Sequence, residues 1–169
     1  MKAVLRGALG FAAVSVAAFS VWAFFGKRLT GAIGGPGMYA AVAAAFLALS
    51  GFVFRPARSY AAFLAGFAAY AVVWSAIWLS FHSRPAEWAA SAAGTAAFAI
   101  PACLILGRPR SIPFAFAALF AGHSAGYFLG SIPYYAWKTQ PAMLAWGAIY
   151  GLGFGAAIGF VLRPSPPAA

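Results

Sequence analysis

A chain of 169 residues that is 64% hydrophobic and only 7% charged cannot clothe a water-soluble core, because soluble domains carry about 25% charged residues. Its net charge of +10 comes from single and paired basic residues with no Lys/Arg run, which argues against nucleic-acid binding. Those charges read instead as topology signals and contacts to lipid phosphate, so the expected partner is the lipid bilayer.

The twelve fixed charges divide the chain into uncharged runs 7–26, 29–54, 59–83, 88–107, 111–137 and 139–162, each 20 to 27 residues long. About 20 apolar residues of helix cross ~30 Å of hydrocarbon. A charge at the bilayer centre costs roughly 2.5–3.5 kcal/mol on insertion scales, so charges collect between spans. The partition predicts an all-α integral membrane protein, a single bundle of six transmembrane helices over 1–163. Spans are expected at about 7–26, 36–54, 59–81, 88–107, 112–135 and 141–162, followed by a disordered Pro-rich tail at 164–169.

The first span follows Lys2 and Arg6, a charge pattern shared with signal peptides. The apolar run continues through Trp22, Phe24 and Phe25 without a small-x-small cleavage site, so it is expected to be retained. Gly31 to Gly37 (Gly-Ala-Ile-Gly-Gly-Pro-Gly) is expected to form the longest connection, and Arg55-Pro56 closes the second span. Beyond the third span, His82, Arg84 and Glu87 form an expected outer-face cluster that holds the only carboxylate. Their spacing reads best as a solvated turn with an Arg–Glu pair of little energetic value.

The fourth span contains Cys103, the sole cysteine, read as a small buried apolar side chain. Arg108-Pro109 marks the next turn, and Pro101, Pro113 and Pro133 are expected to kink the backbone near them. In the fifth span Gly122, Gly126 and Gly130 recur every fourth residue, and in the sixth Gly147, Gly151, Gly155 and Gly159 do so. A four-residue period lines one helix face, and glycine there admits a second backbone, forming a glycine zipper. The stripes are expected either to join the fifth and sixth spans as a hairpin or to face a second subunit.

His123, with Ser124 and Tyr127, forms the candidate intramembrane polar site. It is the one ionisable side chain deep in a span, 13 residues beyond Arg110. Its readings are a neutral histidine bonded to a neighbouring helix, an axial ligand for a tetrapyrrole, or a hydrogen-bonding contact to a solute; no other cofactor is expected. His82 cannot complete a two-histidine haem site, because it ends a span near the surface.

Loops alternate between the two sides, so the N-terminal side carries seven positives (Lys2, Arg6, Arg55, Arg58, Arg108, Arg110, Arg163). The other side carries Lys27, Arg28, Arg84 and Lys138. Basic residues are retained inside, so both termini are expected to be cytoplasmic, in a bacterial plasma (inner) membrane. The recurrence of Arg-Pro at 55–56, 108–109 and 163–164 also admits a three-hairpin internal repeat.

No carboxylate pair, His/Cys ligand set or nucleotide-binding glycine loop is present in the sequence, so no enzymatic chemistry or metal site is expected. The function that follows is an accessory or structural subunit packing through Gly/Ala faces, as a homo-oligomer or within a larger membrane complex. The alternative is a small permease or solute-binding component of a transporter. A scaffold should be packed dry, whereas a solute-binding protein needs a cavity.

Overall fold

In hydrocarbon every backbone N–H and C=O must be paired within the protein, and a helix pairs them within its own segment. The computed structural model describes residues 1–163, so the tail expected at 164–169 lies outside the described residues. Its helices are α1 (Lys2–Leu49), α2 (Ala57–Phe81), α3 (Arg84–Ile105), α4 (Ile112–Trp137) and α5 (Gln140–Val161), with short 3-10 turns at Ser50–Phe52 and Pro109–Ser111. Among the described residues, five helices are long and apolar enough to cross a membrane.

The longest of them, α1, is not a straight rod. Phe11 and Phe46 stack with ring centroids 5.3 Å apart, and Trp22 meets Tyr39 at 6.3 Å. In an unbroken helix Phe11 and Phe46 would lie about 50 Å apart, at 1.5 Å per residue. The chain therefore doubles back. The reversal falls at Gly34 (φ 73, ψ 173), the residue of α1 whose dihedrals leave the helical region. Positive φ at this point suits glycine, which has no Cβ to clash with the backbone. The connection expected over Gly31 to Gly37 is thus not a loop, because helix continues to either side of one glycine. The two limbs of α1 are residues 2–33 and 35–49.

Both glycine stripes are occupied inside the chain. A Cβ on Gly155 or Gly159 would collide with the backbone of Gly7 or Ala3 in the first limb of α1, and one on Gly151 with Ala12. Gly147 lies against Phe19 and Ser15. The opposite face of α5 meets α4, where a Cβ on Gly122 would sit 2.6 Å from the carbonyl oxygen of Gly153, and Gly126 and Gly130 approach Tyr150 and Trp146. So α5 lies between α4 and α1, and its four-glycine stripe faces α1 rather than its hairpin partner. Helices α2 and α3 pair through Gly66 against Phe98 and Gly94 against Tyr70. Phe11 joins the groups, with ring centroids 5.9 Å from Phe63, 6.0 Å from Phe67 and 6.0 Å from Phe154.

Four helix ends are closed by side chains. Ser83 and Thr139 accept from the amides of Ala86 and Ala142 at the starts of α3 and α5. At the far end Arg58 Nε donates to Ile105 O at 2.9 Å, and an Arg108 Nη donates to Val161 O at 2.7 Å. Guanidinium groups there satisfy carbonyls that have no partner in the helix and oppose the negative end of its dipole. Backbone stays helical through Pro101 and Pro133, and Pro113 sits in the first turn of α4, where its missing N–H is not needed.

Candidate functional site

His123 is fully buried at the middle of α4. Its Nε2 lies 2.6 Å from the Tyr70 hydroxyl of α2, and the Tyr150 hydroxyl of α5 donates to Tyr70 at 3.3 Å. With Tyr70 accepting from Tyr150, its own proton is directed to Nε2, and the imidazole proton belongs on Nδ1, which has no partner. The imidazole lies nearly parallel to the ring of Tyr127, with centroids 5.6 Å apart and planes 10° apart. Neither of the two principal cavities has His123 in its wall. The hydroxyl of Ser124 is buried without a partner. These contacts make a polar node linking three helices inside an apolar core.

The expected outer-face cluster divides. Glu87 is only 2% exposed, which corrects the expectation of a solvated turn. It sits in the first turn of α3, and one of its carboxylate oxygens accepts from Tyr127 at 3.2 Å and from Tyr135 at 3.4 Å, both on α4. The other oxygen has no hydrogen-bond partner and lies 3.7 Å from the Arg84 guanidinium. The Arg84 side chain is 61% exposed, and its guanidinium rests 5.1 Å from the Phe128 ring centroid. His82 stays exposed, takes the left-handed conformation that ends α2, and packs beside Trp78. The sequence spacing placed three polar residues together; the start of α3 turns one of them inward and leaves the other two outside.

Above the histidine node the helices leave a cavity of about 200 Å³. Both limbs of α1 line it through Trp22 and Tyr39, α2 through Trp74 and Trp78, α4 through Tyr127 and Tyr134, and α5 through Trp146 and Tyr150. Five of these rings close a circuit. Centroid separations are 6.3 Å for Trp22–Tyr39, 6.4 Å for Tyr39–Trp74, 5.6 Å for Trp74–Tyr127, 5.2 Å for Tyr127–Trp146 and 5.8 Å for Trp146–Trp22. The Trp78 indole donates to the Tyr39 hydroxyl at 2.9 Å, tying the second limb of α1 to α2. A neighbouring recess of about 650 Å³ shares Trp22 and Tyr134 with the chamber and carries Lys27, Lys138 and Gln140.

The chamber is not anticipated in the sequence analysis. A usable signal was present. Tyr70, Trp74 and Trp78 recur every fourth residue, as do Trp146, Tyr150 and Phe154, so each set lines one helix face. Among the described residues there is no group of three His, Cys, Asp or Glu that could hold a metal ion. No protein-family model matches the chain, and no curated protein and no solved structure matches it either.

Proposed function

We propose that this protein is a non-catalytic, multi-pass membrane protein that binds a small solute in the aromatic chamber. In this reading both limbs of α1 cross the bilayer, giving six spans with both termini in the cytoplasm of a bacterial cell. The observation that carries the proposal is the closed circuit of five rings around a cavity of about 200 Å³. An apolar cavity of about 150 Å³ holds a benzene molecule, so the chamber suits a compact ligand. Ligand sites are typically concave and mostly apolar, with a few placed polar groups, here tyrosine hydroxyls.

The accessory-subunit reading rests on glycine and alanine faces packing against another protein. The stripe glycines lie against α1 and α4 of the same chain, which supports the solute-binding reading over it. The His123 node is taken as structural, with its hydrogen bond to Tyr70 in place of tetrapyrrole ligation. Native mass spectrometry of the protein released from mild detergent tests the proposal. A retained small molecule is expected on the wild type and not on Ala43→Trp, which fills the chamber from its wall. A stoichiometric protein partner with no retained molecule would favour the scaffold instead.

A further inference from the structure

We infer that the chamber takes a small organic ammonium cation, of the quaternary ammonium class, held by the faces of the five-ring circuit. This inference rests on the chamber being a binding site and adds the charge and shape of what it binds. The five rings line one cavity with neighbouring centroids 5.2 to 6.4 Å apart, so a cation seated among them comes within the ~6 Å reach of a cation–π contact to more than one ring. A charge there meets those ring quadrupoles at once. A neutral molecule of the same shape gains only the apolar contact.

The second observation is Glu87, the chain's only acidic residue, which is buried one residue behind the circuit. Tyr127 belongs to the circuit, Tyr135 lines the same cavity, and both donate to the Glu87 carboxylate. A carboxylate removed from water within a membrane protein is costly and commonly marks a functional path. Its nearest positive group, Arg84, lies 3.7 Å away, does not hydrogen-bond to it and is largely exposed. A cation in the chamber would complete the balance through the two phenols. No Lys or Arg lines the chamber itself; Lys27 and Lys138 belong to the adjoining recess.

Binding of radiolabelled choline to the full chain, purified in a maltoside detergent, tests the inference against 3,3-dimethylbutan-1-ol, the neutral isostere. Choline is expected to bind roughly ten-fold or more tightly than the isostere, which competes poorly. Trp22→Leu should weaken choline roughly five- to thirty-fold, and Glu87→Gln should do so without changing the isostere's weak competition. Thermal unfolding of each variant separates lost binding from lost fold, and Tyr135→Phe supplies a milder variant should Glu87→Gln misfold. Equal or tighter binding of the isostere overturns the cation class and leaves the chamber as a site for neutral ligands. Failure of choline to bind, when native mass spectrometry still finds a molecule that Ala43→Trp removes, overturns the cation class alone. Failure of choline together with an empty wild-type protein overturns both readings.

Discussion

At the scale of single residues, the polar groups that matter are the ones the core has enclosed. His123, Tyr70 and Tyr150 form a chain of two hydrogen bonds between three helices, with the imidazole fully buried. Leaving one buried polar group unpaired costs about 1–3 kcal/mol, whereas replacing both members of a pair with apolar groups of like shape is nearly neutral. Tyr70→Phe is therefore expected to lower the thermal unfolding temperature in detergent. Adding His123→Leu to it should cost little more, or recover part of the loss. Strict additivity of the two changes would show that the bond between them carries no coupling. Glu87 follows the same logic, because its stability depends on Tyr127 and Tyr135 rather than on the exposed Arg84.

The helices pack by backbone approach. In lipid, apolar area alone gives no preference for a neighbouring helix, so close contact and dispersion must supply it. Gly151 lies against the backbone of Phe11 and Ala12, and nothing flexible there can yield. Gly151→Leu is expected to disrupt the monomer itself, read as loss of the monodisperse peak in detergent chromatography. Preserved folding with loss only of self-association would contradict the intrachain role. Gly31 provides the control: a Cβ there meets nothing within 4 Å, so Gly31→Ala should leave the peak unchanged. Gly34→Ala differs from both, since the strain lies in its backbone angles (φ 73, ψ 173) rather than in space, and it should destabilise by roughly 1–3 kcal/mol. Arg108→Ala, which frees the carbonyl of Val161 at the end of α5, is expected to cost about 0.5–2 kcal/mol in chemical unfolding.

For the whole molecule, α5 is the central strut, with α4 on one face and the first limb of α1 on the other. Helices α2 and α3 lean on this group through the phenylalanine cluster, and the chamber lies where the second limb of α1 spans the gap. This arrangement places its aromatic walls on four elements, so no single helix carries the site. The expected topology has its own test. A reporter fused after Ala169 that works only in the cytoplasm should be active, and one that works only in the periplasm should be silent. The reverse result would either place the seven-positive side outside or, with the N-terminus still inside, remove the six-span count.

Charge spacing alone determined that the chain is helical and built for lipid, because ionisable groups are excluded from hydrocarbon and mark its limits. The four-residue glycine period likewise showed which faces come close, since a helix places every fourth residue on one side. Partners were another matter. Which helix each stripe meets, the reversal of α1 at Gly34, and the inward turn of Glu87 depend on contacts between residues far apart in the chain, such as Gly7 with Gly155 and Ala3 with Gly159. The chamber was hidden for the same reason. A tryptophan or tyrosine reads alike whether it faces headgroups or a cavity, and only the assembled helices bring Trp22, Tyr39, Trp74, Tyr127 and Trp146 round a common space.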